Sequence, residues 1–142
     1  MDNQEMKQLL ANRQDELDGA ALYQALADVE PNPKLAEVYG RLAAVEQNHA
    51  AVWSEKLRTA GVDLPPFRPS WRTRTLIWLA RRFGVGTVLP SVSALEQVDA
   101  HKYDQESGAG ALAVDERSHA RLLHQITQPL QGGLEGGALA QI

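Results

Sequence analysis

Apolar residues recur at intervals of three and four along most of the chain, which is the spacing of one face of an α-helix. No segment shows the sustained alternation of apolar and polar residues that is typical of a β-strand. The pattern predicts four long helices and one shorter amphipathic helix, over residues 3–29, 33–60, 71–83, 87–106 and 111–128. Pro31 ends the first helix, because proline cannot continue a helix and disfavours helix just before it. We therefore expect an all-α fold.

Each long helix places at least one ionisable side chain inside its predicted apolar stripe. In helix order, the stripes are Leu9, Glu16, Ala20, Tyr23 and Ala27; Tyr39, Leu42, Ala43, Glu46, His49, Ala50, Trp53 and Leu57; Leu89, Val92, Glu96, Asp99, Ala100 and Tyr103; and Leu112, Ala113, Glu116, His119, Ala120 and Leu123. An ionised carboxylate in a dry core costs several kcal/mol unless a positive charge compensates it. Two divalent cations would balance four carboxylates, and neutral imidazoles would complete the coordination.

Two Glu-x-x-His pairs support this metal interpretation, because residues three apart project from the same side of a helix. The two pairs and the two single glutamates are Glu46 with His49, Glu116 with His119, Glu16, and Glu96. A glutamate from each of two helices and a Glu-x-x-His pair from each of the others form the ligand pattern of ferritin-like di-metal bundles.

The four glutamates also stand at matching heights in two helical hairpins. The midpoint between the first two is Pro31, and the midpoint between the last two is position 106, next to a Ser-Gly pair. A tyrosine follows each single glutamate by seven residues, at Tyr23 and Tyr103. The chain thus indicates two copies of one hairpin, joined by residues 61–86.

With these motifs the sequence resembles a ferritin-like domain of the rubrerythrin type over residues 3–128. The resemblance implies a four-helix bundle built from two helical hairpins, with a short extra helix in the crossover connection. It also implies a non-haem di-iron centre that reacts with oxygen or hydrogen peroxide, with Mn or Zn as substitute ions. Rubrerythrin-like proteins carry a further carboxylate three residues after the third-helix glutamate. Here that position is Asp99, whose shorter side chain leaves both metal ligation and a supporting or solvated role open.

The leading hypothesis from this resemblance is a domain that oxidises Fe(II) with oxygen or peroxide, as a ferroxidase or peroxidase. The glutamates of the two Glu-x-x-His pairs would bridge or chelate two irons, the single glutamates would cap them, and each histidine would bind one iron. The ligand set is Glu16, Glu46, His49, Glu96, Glu116 and His119, with no further catalytic residue. Tyr23 and Tyr103 would either hydrogen-bond a ligand carboxylate or pack in the core.

Two other classes of function stay open. The first is a non-catalytic domain that senses or delivers Fe or Mn and regulates a membrane transporter. The second is a structural bundle that binds no metal, in which the Glu-x-x-His pairs lie on the surface and the single glutamates pair with arginine or tyrosine.

The glycine-rich residues at the C-terminal end of the sequence suggest a more specific family resemblance. Similar ferritin-like domains stand at the N-terminus of bacterial membrane proteins of the vacuolar iron transporter family, where a glycine-rich connection leads into the membrane part. Residues 131–142 resemble such a connection. We therefore expect a bundle over residues 1–130 and a linker to a transporter domain in a longer parent chain, which would place the bundle at the inner face of a membrane.

The composition of the chain limits which binding partners and which cellular location we expect for the protein. The net charge of −4 argues against nucleic-acid binding, and the absence of cysteine excludes disulfides and a built-in four-cysteine electron relay. The N-terminal residues do not resemble a signal peptide, and no apolar run reaches the roughly 18 residues that span a bilayer. We therefore expect a cytoplasmic location.

Charge is distributed unevenly. Residues 64–95 contain five arginines and no acidic residue, although the chain has 18 acidic residues in total. This segment, with Trp71 and Trp78, would either pack its apolar side on the bundle or on a second subunit, or face anionic lipid headgroups. From the apolar residues of 71–89 we expect a homodimer.

Overall fold

The computed structural model describes residues 1–104 and 121–122, with side chains for residues 1–97 and 121–122. The regular secondary structure of these residues is helical, with no strand, which confirms the all-α class. The elements are α1 (Asn3–Val29), α2 (Pro33–Thr59), α3 (Trp71–Phe83), a 3-10 turn at Val85–Thr87, and α4 (Leu89–Asp104). The predicted helix over residues 111–128 lies outside the described residues. The chain divides into two compact units, Met1–Trp78 and Leu79–Ile142.

Capping residues fix where α1 and α2 begin. The Asp2 side chain accepts a hydrogen bond from the backbone N–H of Glu5, and the Glu5 side chain accepts one from the backbone N–H of Asp2. Asn32 caps α2 in a similar way, since its side-chain oxygen accepts from the backbone N–H groups of Lys34 and Leu35. Both caps satisfy backbone donors that have no partner inside the helix.

Helices α1 and α2 form an antiparallel hairpin. Arg13 and Glu16 of α1 lie next to Ser54 and His49 of α2, so a later position on α1 meets an earlier position on α2. All eight residues of the predicted α2 stripe are buried. In α1, Glu16, Ala20 and Tyr23 are buried as predicted, while Leu9 and Ala27, which stand nearer the ends of the helix, are only partly buried.

The connection after α2 runs beside α1. A glycine at position 61 with φ of +80° follows the end of α2. Farther on, the Arg13 guanidinium donates to the carbonyl of Pro65 (3.3 Å), and the Gln14 amide donates to the carbonyl of Arg68 (2.8 Å). The Ser70 backbone N–H donates to Asp18 (3.0 Å), which attaches the start of α3 to α1.

In the second unit, Gly84 follows α3 with φ of +97°, a conformation that favours glycine. Pro90 stands in the first turn of α4, as predicted, where its missing N–H costs little. Val85, Val88, Leu89 and Val92 are buried. Over the described stretches of the chain, none of the helices combines the length and apolar character needed to cross a bilayer.

Candidate metal centre

Three of the six predicted metal ligands come together in the first unit. The Nδ1 atom of His49 lies 3.4 Å from Oε2 of Glu16 and 3.9 Å from Oε2 of Glu46. Each of the three residues offers a ligand atom within 4.8 Å of those of the other two. The equal distance of Glu16 and Glu46 from the turn at Pro31 therefore predicted correctly that these residues meet across the hairpin.

The cluster lies almost entirely out of solvent. Relative exposure is 3% for Glu16, 3% for Glu46 and 4% for His49. Two carboxylates and one imidazole thus share a small volume of low dielectric constant, where charge without a counter-charge is costly. A divalent cation would balance both carboxylates while the imidazole stays neutral.

The donor set and its spacing fit a transition-metal ion. Two ligand atoms that each lie about 2.1 Å from one ion are at most about 4.2 Å apart. The 3.4 Å and 3.9 Å separations around His49 fall within that limit. Both separations exceed the 2.7–3.2 Å that is typical of an N–H···O hydrogen bond. Carboxylate oxygens together with imidazole suit Fe, Mn and Zn.

Two neighbours of the cluster were not identified from the sequence. Asn12 stands one turn before Glu16, is completely buried, and accepts a hydrogen bond from the Gln8 amide at 2.9 Å. A Cβ atom added at Gly19 would lie 3.6 Å from the carboxylate of Glu46. The signal for Asn12 was its i−4 spacing from Glu16. The signal for Gly19 was a glycine inside a helix, where it costs about 1 kcal/mol relative to alanine.

Tyr23 lies on the same helix as Glu16 and is 1% exposed. This burial confirms its place in the apolar stripe of α1. A hydrogen bond from its hydroxyl to a ligand carboxylate stays a prediction.

The second half of the predicted centre is described only at Glu96. This residue lies on α4 in the second unit and is 5% exposed. Glu116 and His119 lie outside the described residues, and the side chains of Asp99 and Tyr103 do so as well. The six-ligand, two-metal arrangement and its extension beyond the first hairpin therefore stay predictions.

Comparisons of the chain with protein-family models, with curated proteins and with solved structures find no significant match. The resemblance to rubrerythrin-type ferritin-like domains therefore depends on the ligand motifs and their spacing alone.

Proposed function

We propose that the chain is a non-haem di-iron domain of the rubrerythrin type that oxidises Fe(II) with oxygen or hydrogen peroxide. The observation that carries the proposal is the buried Glu16, Glu46 and His49 cluster, whose ligand atoms lie within 4.8 Å of one another. Glu96, Glu116 and His119 would supply the equivalent ligands from the second half of the chain. Such a reaction would serve iron detoxification or export, including export by a transporter domain in a longer parent chain.

Each residue of the cluster has a distinct task in this proposal. Glu46 and His49 project from one side of α2 and would bind the ion from that helix, while Glu16 would bind it from α1. The carboxylates supply hard oxygen donors, which favour the higher charge of Fe(III), and the imidazole tunes the reduction potential. Bound Fe(II) would supply one electron per ion, so that two ions and two protons reduce one hydrogen peroxide to two waters.

The direct test is titration of the apo protein with Fe(II). Under anaerobic conditions we expect two ions to bind per chain. Addition of oxygen or peroxide should then produce rapid growth of ferric absorbance in the near ultraviolet. Binding without oxidation would instead favour the metal-sensing or delivery function, and no binding would leave only a structural bundle.

Glu46→Gln tests the site with little change in shape, because glutamine keeps the volume of glutamate and removes the charge. The matched control is Glu55→Gln, which changes an exposed glutamate on the same helix. We expect Glu46→Gln to abolish or slow ferric product formation, and Glu55→Gln to behave as the wild type. Equal rates in both variants would contradict the assignment of Glu46 as a ligand.

The two-metal part of the proposal needs its own measurement. Anomalous X-ray scattering at the iron and manganese edges, from crystals soaked in each metal, locates each ion and its ligands. We expect one ion beside Glu16, Glu46 and His49, and a second beside Glu96, Glu116 and His119. A single ion at the first cluster, with no loss of binding in Glu96→Gln, would refute the di-metal centre and keep a one-metal site.

A further inference from the structure

Large apolar side chains are exposed on α3 to an unusual degree. Five such side chains are exposed among the described residues, and three of them belong to α3: Trp71 at 68%, Trp78 at 60% and Phe83 at 60%. Trp71 and Trp78 are seven residues apart, so they lie on the same side of the helix, two turns from each other. Thr73, on the opposite side of α3, is 7% exposed. Most of the surface of each tryptophan is therefore accessible to solvent.

Arginines flank these tryptophans. Arg72 and Arg74 are both exposed, and the Arg72 guanidinium lies 5.9 Å from the centre of the Trp71 ring. Arg81 and Arg82 occupy the last turn of the same helix. We call the surface formed by Trp71, Arg72, Arg74 and Trp78 the Trp–Arg face.

We propose that the Trp–Arg face docks on the surface of an anionic lipid bilayer. Tryptophan is favoured at the boundary between headgroups and acyl chains, because its ring is apolar and its indole N–H is polar. Arginines beside it would contact lipid phosphates while their stems lie along the apolar boundary. The length of α3, 13 residues, suits a helix that lies in the plane of the interface and does not span it.

Charge complementarity favours an anionic membrane over a second copy of this chain. All 18 acidic residues lie outside residues 64–95, so a negative surface would repel most of the molecule and attract this segment. In a two-fold dimer centred on the same face, Arg72 and Arg74 would meet the same arginines of the other copy. Such like-charge contacts are unfavourable, whereas lipid phosphates neutralise them.

The test is binding of the full chain to vesicles of pure phosphatidylcholine and to vesicles that also contain phosphatidylglycerol. Co-sedimentation gives the partition coefficient. Fluorescence reports the environment of Trp71 and Trp78 over the constant signal of Trp53, which is 2% exposed. We expect binding and a blue shift with the anionic vesicles only, and a marked loss of binding as salt rises.

Two double variants separate charge from aromatic contact. A basic residue near an anionic surface contributes about 1 kcal/mol, so Arg72→Gln with Arg74→Gln should weaken binding on the order of 25-fold. Trp71→Ala with Trp78→Ala should weaken binding to the anionic vesicles at both low and high salt. The matched control, Arg41→Gln with Arg58→Gln, removes two exposed arginines of α2 and should leave binding within about twofold of the wild type.

Several outcomes would overturn the proposal. One is equal binding to neutral and anionic vesicles, and another is an equal loss in the α2 control. A third is the absence of vesicle binding together with self-association, measured by sedimentation velocity, that the Trp–Arg variants abolish. This last result would assign the face to contact with a second copy. Far-UV circular dichroism of each variant verifies that the helices remain. Since the test uses no metal, its result is independent of the proposed di-iron function.

Discussion

Glu46→Gln distinguishes a metal ligand from a partner in a structural ion pair, because the two roles predict opposite effects on the metal-free protein. In the ion-pair case, protonated His49 would attract the Glu46 carboxylate, whose Oε2 lies 3.9 Å from Nδ1. Opposite charges at that distance interact by about 4 kcal/mol at an effective dielectric constant near 20. Removal of the Glu46 charge would then destabilise the fold, because protonated His49 would keep only the Glu16 carboxylate, at 3.4 Å, as its compensation.

A metal ligand predicts a different result. Without metal, Glu16 and Glu46 bring two acidic groups to one imidazole, and the amide removes one of them. We therefore expect the metal-free variant to be at least as stable as the wild type. With metal at 100 times its dissociation constant, the wild type should gain about 2.7 kcal/mol. A 100-fold weaker variant should gain only about 0.4 kcal/mol.

Thermal unfolding with EDTA and with added Mn(II), which avoids oxidation during the scan, measures both effects. The difference of about 2.3 kcal/mol corresponds to roughly 8 °C in Tm for a domain of this size. Glu55→Gln should shift with metal as the wild type does. Two results together would refute the metal interpretation and establish a structural ion pair. In EDTA, Glu46→Gln would be much less stable than the wild type, and added Mn(II) would leave the Tm of the wild type unchanged.

Three further predictions concern the surroundings of the site and the fold. Gly19→Leu should weaken metal binding at least tenfold in calorimetric titration, because the side chain would meet the Glu46 carboxylate, while Gly40→Leu should not, since a Cβ there meets nothing within 4 Å. Burial raises the pKa of the Tyr39 hydroxyl from its ordinary 10.0, so the stability that it contributes is complete below pH 10 and falls as pH rises above it. Denaturant unfolding from pH 8 to 11 should therefore show a smaller alkaline loss in Tyr39→Phe. Ser70→Ala should lower the free energy of unfolding by about 1 kcal/mol in urea, because the Ser70 hydroxyl oxygen accepts the Thr73 backbone N–H at the start of α3.

The sequence predicted α2 best because its ionisable and apolar residues follow one helical period. All eight stripe residues, including Glu46 and His49, are buried. The 3.6-residue period of an α-helix determines which residues share a face. Burial of a carboxylate on that face does not disturb the helix itself. The first half of the candidate site was therefore predictable before any tertiary contact was known.

Other features depend on tertiary contacts, which helical periodicity alone does not predict. Asn12 is 0% exposed although it is polar, and it follows the period of Glu16, but its residue type alone suggests a solvated position. On α3, the structure buries Thr73 and leaves Trp71 and Trp78 exposed, which the sequence pattern did not predict. The small Thr73 lies on the buried side of the helix, and its backbone N–H bonds to Ser70, which itself bonds to Asp18 of α1. The buried residues Thr73 and Ala80 are small, so side-chain size and the capping bonds contribute to the orientation of α3 in addition to hydropathy, which places Arg72 and Arg74 in solvent.

The di-iron proposal assigns metal ligands to both halves of the chain. Glu16, Glu46 and His49 give three donors from one hairpin, whereas a transition-metal ion in a protein takes at least four ligands. The missing ligands must come from water, from second carboxylate oxygens or from other residues of the chain. Glu96, on α4, is a further carboxylate with only 5% exposure. Hydrogen bonds, an opposite charge or a cation can each compensate such a group. The di-iron proposal therefore predicts that Glu96→Gln lowers the metal affinity of the first cluster in calorimetric titration, and an unchanged affinity would restrict the site to the first hairpin.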